Sequence, residues 1–196
     1  MFRFAPVIIR TRKGEHTVSV DEQPHKANLE KIPQLRPAFA EGGTITPANS
    51  SSISDGASAL LLASESAMQT HGLTARARIV AHSRNSLAPE AFTLAPIGAT
   101  EQVLAKAGWS TSDVDLWEIN EAFAMVTMLT MRAFDLDPAC VNVHGGACAQ
   151  GHPVGSTGSR IIVTLMHALK RYDKKRGVAA LCIGGGEATA VAIELI

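Results

Sequence analysis

From residue 58 onward the sequence alternates between short apolar segments and longer amphipathic ones, and this alternation limits the fold more than any other feature. The apolar segments have the length and composition of strands, and they lie at 59–63, 76–83, 114–119, 141–143, 178–183 and 190–196. The segments with helical periodicity lie between them, at 64–71, 97–107, 121–134 and 159–172. Strands that alternate with helices predict an α/β fold, with a mostly parallel sheet covered by helices. We expect the last two strands to pair antiparallel, because only a short glycine segment joins them.

Residues 1–52 have a different character, since they are rich in charged, proline and small polar residues. Two extended segments are predicted there, Val7 to Thr11 and His16 to Val20, joined by a turn at Lys13-Gly14. Prolines limit residues 29–39 to about one helical turn. An irregular segment of this length is typically a functional cover or an excursion between elements.

The composition of the 196 residues argues against several classes of protein. Lys and Arg together number 18, as do Asp and Glu, so a general affinity for nucleic acid or for anionic membranes is not expected. No apolar run is long enough to span a membrane, and Met1 to Gly14 lacks the pattern of a signal peptide. The three cysteines are an odd number and do not predict a disulfide framework. We therefore expect a soluble cytoplasmic protein with free thiols.

Two glycine-rich loops carry a thiol and an imidazole. Cys182 ends an apolar strand and is followed by Gly184, Gly185 and Gly186, while His152 lies in the loop 145–158. Glycine lets backbone N–H groups point into a site and lets a bulky substrate approach closely. The pattern favours a thiol-based acyl-transfer site with His152 as a base. The alternatives are that Cys182 is a small buried apolar residue and that His152 is a hydrogen-bonded turn residue.

Asn120 lies where a predicted strand ends and a predicted helix begins. Active-site groups collect at the carboxyl ends of strands in such sheets, and an amide there can hold a water molecule or an acyl oxygen. Asparagine is also a good helix N-cap, and for this residue taken alone a cap is the favoured interpretation.

A fourfold spacing in the same region resembles a metal site but does not predict one. Cys140, His144, Cys148 and His152 recur every four residues, which on a helix would form one ligand face. The glycines and the proline in this stretch make a continuous helix implausible, so no metal is expected.

Three motifs, in this order and spacing, resemble the thiolase family: Asn120-Glu121-Ala122-Phe123, the stretch 142–158, and Cys182-Ile183-Gly184-Gly185-Gly186. The resemblance implies a fold in which two similar five-stranded halves share a helical layer. We therefore expect a mixed, mostly parallel five-stranded sheet with covering helices, preceded by an irregular segment of a loop domain. The implied domains are 1–52 as part of the loop domain, 53–74 as the last strand and helix of the N-terminal domain, and 75–196 as the C-terminal domain.

The resemblance also implies an activity and roles for single residues. Thiolases cleave 3-ketoacyl-CoA with CoA, or condense two acyl-CoA molecules in the reverse direction. By motif, His152 would activate a nucleophilic cysteine, and Asn120 would hold a water that forms an oxyanion hole together with His152. Cys182 would be the acid and base that moves the α-proton, and the N–H group of Gly184 would help to form a second oxyanion hole.

The same resemblance implies the substrates and partners. Ser51 stands where the family contacts the pantetheine part of CoA, and Phe123 stands where the family lines the pocket. CoA and acyl-CoA would be substrates, with no covalently bound cofactor. The partners implied are other copies of the chain in a homo-oligomer, or a chain that supplies the complementary N-terminal half.

One departure from the family concerns the nucleophile. A thiolase uses two cysteines, and neither Cys140 nor Cys148 stands in the setting expected for the second. We therefore expect a C-terminal portion of a thiolase that lacks the half with the nucleophilic cysteine and is inactive in isolation. The alternative from another class is a non-catalytic module that binds CoA or a protein partner.

Overall fold

The structure of the chain is a computed structural model that describes residues 5–196. Residues 1–4, part of the N-terminal stretch considered above, lie outside them. The chain divides into two compact units, with the boundary between Arg36 and Pro37. In the described part of the chain, no helix combines the length and the apolar character needed to cross a membrane.

The first unit contains a β-hairpin. Its strands are β1 (Val7–Thr11) and β2 (Gly14–Val18), which pair antiparallel. A short helix α1 (Gln23–Lys26) and a 3₁₀ helix (Leu29–Gln34) follow. The two predicted extended segments and the single helical turn are therefore confirmed, although β2 begins and ends two residues before the predicted segment.

The second unit is built around a mixed four-stranded sheet. Its strands are β3 (Ala77–Ser86), β4 (Leu116–Ile119), β5 (Arg176–Cys182) and β6 (Glu187–Leu195), in the spatial order β3-β6-β5-β4. Strands β4 and β5 are parallel, whereas β6 pairs antiparallel with both β5 and β3. The helices of this unit are α2 (Glu65–His71), α3 (Ala95–Ala107), α4 (Ala124–Phe134), α5 (Ala147–Gln150) and α6 (Thr157–Arg171).

The α/β class and the mixed sheet with helices are confirmed, but two details of the expected sheet differ. The described sheet has four strands instead of five, because Val141 makes only an isolated parallel bridge to Trp117. The next residue, Asn142, has a φ of 47°, and its side-chain amide bonds to the backbone of Ile119, so the chain leaves the sheet there. Antiparallel pairs outnumber the single parallel pair, because the turn between β5 and β6 is too short for a parallel crossover.

The expectation of a strand at residues 59–63 was wrong. This apolar segment has no regular secondary structure, and Leu61 and Leu62 are 84% and 70% exposed. A strand needs a neighbour for its backbone hydrogen bonds, and none of the described strands pairs with this segment. The helix that follows is present as predicted: the Ser64 hydroxyl caps its N-terminus, and Gly72 ends it with a φ of 62°.

Helices lie against both faces of the sheet. Helices α3 and α4 cover one face, where α3 residues such as Val103 pack around Trp117 and Val178. Helix α6 covers the other face, where Leu165 packs against Ala179. Because helices cover β4 and β5 on both sides, the open approach to these two strands is at their ends.

Leu165 is a stringent test of this packing, because it is 0% exposed and a Cβ added at Gly177 would lie 2.7 Å from its Cδ1. We expect Leu165→Ala to lower the free energy of unfolding by ~2–5 kcal/mol, measured by urea denaturation. Leu62→Ala, the same change at a 70% exposed position, is the matched control and should change it by less than about 0.5 kcal/mol. Equal losses at the two positions would contradict the assigned core.

Strand β4 also buries an acidic side chain. Glu118 is 2% exposed, and burial raises its pKa from 4.5 to about 8, an effect that Arg160 partly offsets. The folded protein therefore holds this carboxyl as a neutral acid at neutral pH. Because the folded pKa lies above the unfolded value, the folded state is favoured at low pH and loses stability as the pH rises toward 8.

The corresponding prediction is that Glu118→Gln becomes more stable relative to the wild type as the pH increases. Between pH 5 and pH 8 the difference in unfolding free energy should grow by up to about 1.4 kcal/mol per pH unit, measured by urea titrations at several pH values. Glu101→Gln, on the exposed side of α3, is the control. A difference that stays constant with pH would contradict the burial of Glu118 as a neutral acid.

Candidate active site

Parallel pairing of β4 and β5 brings two of the predicted site residues to one edge of the sheet. Asn120 directly follows β4, and its backbone N–H donates to the carbonyl of Ala180 at 2.9 Å. Cys182 is the last residue of β5. Gly184 lies two residues further on, in the turn to β6, and a Cβ added there would meet no heavy atom within 4 Å. The carboxyl ends of adjacent parallel strands are where ligands bind in open α/β sheets.

The side chain of Asn120 is 1% exposed and does not cap a helix. Helix α4 begins at Ala124, and its N-cap residue is Phe123, so the capping interpretation was wrong. Instead, Asn120 Oδ1 accepts a hydrogen bond from Arg160 Nη2 at 3.1 Å. Its Nδ2 donor is buried and has no hydrogen-bond partner among the described residues.

His152 is held by both its backbone and its ring. Its N–H group donates to the carbonyl of Ser52 at 2.9 Å, and its Nδ1 lies 2.7 Å from Thr157 Oγ1. Burial lowers the pKa of His152, and the positive charge of Arg160 lowers it further. The imidazole is therefore favoured in its neutral form, as a general base requires.

The segment that contains Ser51 connects the Asn120 loop with the His152 loop. The N–H and the hydroxyl of Ser51 both donate to the carbonyl of Ala122 at 3.1 Å. One residue earlier the chain bridges to Phe123, and two residues after Ser51 it bridges to His152. Ser51 and Phe123 are thus held beside the two loops.

Phe123 belongs to a small aromatic cluster. Its ring centroid lies 5.6 Å from that of Phe39 and 6.2 Å from that of Phe92, both in edge-to-face arrangements. Such contacts fix the ring and provide an apolar wall beside the Asn120 loop.

The three cysteines differ in their surroundings. Burial raises the pKa of Cys182 to about 11. Burial and the neighbouring carboxylate of Glu121 raise the pKa of Cys148 to about 12. Burial followed by the charge of Asp137 also raises the pKa of Cys140. All three are therefore thiols at neutral pH, and none is activated as a thiolate by neighbouring cations.

Among the described residues, His152 and Cys182 share no hydrogen bond. The link between them runs through the first turn of α6, which begins five residues after His152. There a Cβ added at Gly158 would lie 3.8 Å from Leu181 Cδ2, directly before Cys182. The first turn of α6 therefore packs beside the end of β5, and the convergence of the thiol and the imidazole on one substrate stays a prediction.

An open groove of about 340 Å³ lies beside the His152 loop. It is lined by two short segments, residues 54–58 and 153–156. Hydrogen bonds between the Ser58 hydroxyl and the hydroxyls of Ser156 and Ser159, both at 2.6 Å, hold the two segments together.

The spacing of Cys140, His144, Cys148 and His152 does not produce a metal site. Helix α5 covers only Ala147–Gln150, so the four residues do not share a helical face. Within residues 5–196 no group of three His, Cys, Asp or Glu side chains is arranged to hold a metal ion.

Sequence reasoning missed the charged residues that surround the predicted site. Arg160 binds Asn120, and Glu121 accepts hydrogen bonds from the N–H of Cys148 at 3.0 Å and from Asn142 Nδ2 at 3.3 Å. Glu118 is buried nearby. The one available signal was Glu118 itself, because an acidic residue in the middle of an apolar strand is unusual unless it has a role.

Comparison with known proteins agrees with this arrangement. The model of the thiolase C-terminal domain matches residues 73–195, and the model of the thiolase N-terminal domain matches residues 2–66. The chain therefore carries sequence of both family domains. Cytosolic acetyl-CoA acetyltransferase of Mus musculus is 47% identical over 192 residues, which are 96% of this chain and 48% of that protein.

Solved structures agree as well. The acetyl-CoA acetyltransferase of Bacillus anthracis superposes with a TM-score of 0.90 at 41% identity, over 98% of this chain and 49% of that one. Human mitochondrial 3-ketoacyl-CoA thiolase in complex with CoA superposes with a TM-score of 0.82 at 39% identity, over 92% of this chain and 46% of that one. The chain spans about half the length of the curated relatives it matches. From the two family models and the shared fold, we conclude that the chain belongs to the thiolase family.

Proposed function

We propose that this protein is a thiolase-type acyltransferase, which cleaves 3-ketoacyl-CoA with CoA or condenses acetyl-CoA in the reverse direction. The observation that carries the proposal is the buried Asn120 amide beside the end of the Cys182 strand, with a free Nδ2 donor. CoA and acyl-CoA would be substrates, and no covalently bound cofactor is needed. The similarity to a thiolase that was solved with CoA supports this choice of substrate.

The chemistry divides among four residues. Removal of a proton beside a thioester creates an enolate, whose negative oxygen needs preorganised hydrogen-bond donors. Asn120 would supply one through a bound water, together with His152, and the N–H group of Gly184 would supply a donor for the second oxyanion hole. Cys182 would take the α-proton as a thiolate and return it as a thiol.

Ser51 and Phe123 would contact the acyl-CoA. Ser51 lies beside the Asn120 loop through its two hydrogen bonds to Ala122, and the fixed ring of Phe123 offers an apolar surface. We propose that the pantetheine arm passes along this segment, which borders both loops.

The nucleophilic cysteine would come from outside residues 1–196. Cys148 has a pKa of about 12 beside Glu121, and the Cys140 thiol donates to the carbonyl of Asp137. Neither thiol is poised to form a thiolate, so we propose that a complementary N-terminal half chain supplies the nucleophile. The chain alone would then be inactive in thiolysis.

The same proposal assigns three domains, with residues 1–52 in the loop domain, 53–74 in the N-terminal domain and 75–196 in the C-terminal domain. The change of family model between residues 66 and 73 supports the second boundary. A cytoplasmic location is proposed from the similarity to a cytosolic relative.

The role of Cys182 predicts a partial reaction that needs no nucleophilic cysteine. In D₂O the chain should exchange the methyl protons of acetyl-CoA, and Cys182→Ala should slow this exchange by ~10²-fold or more, because the acid and base is lost. Mass spectrometry of the recovered acetyl-CoA measures the rate of deuterium exchange. Cys140→Ala is the matched control and should exchange at the wild-type rate. Equal rates in Cys182→Ala and the wild type would exclude the proposed role.

The proposed source of the nucleophile predicts the outcome of a thiolysis assay. Residues 1–196 alone should cleave acetoacetyl-CoA no faster than the buffer, measured by the loss of its absorbance in the presence of CoA. Addition of the N-terminal half of a related thiolase should restore turnover. Rapid cleavage by the chain alone would contradict the proposal, and Cys140→Ala and Cys148→Ala would then identify the nucleophile.

A non-catalytic module that binds CoA is the second candidate, and the raised pKa of all three thiols favours it. Calorimetry with CoA on the wild type and on His152→Ala separates the two. CoA binding that His152→Ala leaves unchanged, together with an absence of proton exchange and thiolysis in the presence of any partner half, would favour the module.

A further inference from the structure

Arg160 is a partly buried cation that makes few hydrogen bonds. Among the described residues, its only side-chain hydrogen bond goes from Nη2 to Asn120 Oδ1. Its Nε and Nη1 are buried without a partner, and burial lowers its pKa. Glu121, and Glu118 when it is ionised, favour the charge of Arg160 from nearby, but among the described residues neither forms an ion pair with it. Such an arrangement costs stability, so a role other than stability is required to explain it.

The chemistry of the guanidinium group defines the orientation of the amide beside it. Arginine has only donors and no acceptor, whereas an asparagine amide has an acceptor on one side and two donors on the other. Arg160 can therefore bind Asn120 only through Oδ1, and the opposite orientation would place N–H groups against N–H groups. Nδ2 must then face away from Arg160, where it has no protein partner.

The backbone groups of Asn120 are bonded to other residues, so they form no hydrogen bond with its side chain. Its N–H group is bonded to the carbonyl of Ala180, and its own carbonyl accepts from the N–H of Ala122 at 3.2 Å. Of the two ends of the side-chain amide, only Oδ1 is held by the protein. Without Arg160 the amide could turn over and present its oxygen where a developing negative charge needs a donor.

We propose that Arg160 is a positioning residue that locks the Asn120 amide with its Nδ2 donor toward the site. The inference rests on the proposed function for its catalytic consequence, but the lock itself can be tested without catalysis. Arg160 is the cation of helix α6 that contacts Asn120, and its position in the sequence did not indicate this contact.

The first test uses the side-chain NH₂ signals of Asn120 in ¹⁵N NMR spectra, identified by their loss in Asn120→Ala. The control variant is Glu118→Gln, which keeps Arg160 and removes the buried carboxyl. In it the two NH₂ protons should give separate, sharp signals, because a cation on Oδ1 strengthens the double-bond character of the C–N bond. Adding Arg160→Met to this variant should shift the signals and speed the interchange of the two protons by roughly tenfold. Unchanged signals would overturn the proposal.

If Arg160→Met does not fold, Arg160→Gln in the same background gives the same test. Its amide offers both a donor and an acceptor, so it no longer selects one orientation of Asn120. Urea denaturation establishes that each variant is folded before its spectrum is used. Signals that match those of Glu118→Gln alone would again overturn the proposal.

The second test is a double-mutant cycle on the exchange of acetyl-CoA methyl protons. In the Glu118→Gln background, Arg160→Met should lower the maximal exchange rate about tenfold with little change in KM. That loss is smaller than the ~10²–10³-fold cost of removing an oxyanion donor. In the Asn120→Ala background the same change should have no further effect, because Arg160 acts through Asn120. Equal losses with and without Asn120 would overturn the role.

The two tests fail for different reasons. If the wild type exchanges no methyl protons, the proposed function fails while the NMR test still decides whether Arg160 orients Asn120. If exchange depends on Cys182 but the Asn120 NH₂ signals do not change when Arg160 is replaced, the proposed function is supported and the orienting role of Arg160 is excluded.

Discussion

The parallel hydrogen bonding between β4 and β5 is the interaction on which the site depends. Ile119 is opposite Ala180 in the register, so Asn120 and Cys182 emerge from neighbouring strands at the same edge. A slip of one residue would turn both side chains to the other face of the sheet. Strand β6 pairs antiparallel with β5 on its other side, and the short turn between β5 and β6 keeps Gly184 at this end of the strands. The relative positions of Asn120 and Cys182 are thus determined by the register between β4 and β5 rather than by any single loop.

The polar groups around the site lower the stability of the folded state. Glu118, Asn120 and Arg160 each bury at least one polar atom with no partner in the described part of the chain. A core optimised for stability alone would fill this volume with apolar side chains. Helix α6 therefore has two tasks, since Leu165 anchors it to the sheet and Arg160, on a neighbouring turn, reaches the Asn120 loop.

Much of this could be predicted from the sequence, because local patterns determine it. The helices and most strands follow from apolar periodicity, and the positions of Asn120 and Cys182 at strand ends follow from where the apolar runs stop. Apolar periodicity does not indicate which strand pairs with which. Residues 59–63 have the composition of a buried strand, yet no described strand accepts them. Arg160 was missed for a related reason, since its contact with Asn120 joins residues that are distant in sequence and a helical arginine usually faces water.

The turn that carries Gly184 is tied to the far side of the sheet. The carbonyl of Gly186 accepts the N–H of Leu87 at 2.9 Å, directly after the edge strand β3. Gly186 has a φ of 105°, and a side chain there would collide with the carbonyl of Leu87, so the two segments touch backbone to backbone. The end of the edge strand β3 therefore limits how far the turn can move toward it. Variation in the outermost strand would be transmitted through this contact to the position of the Gly184 amide.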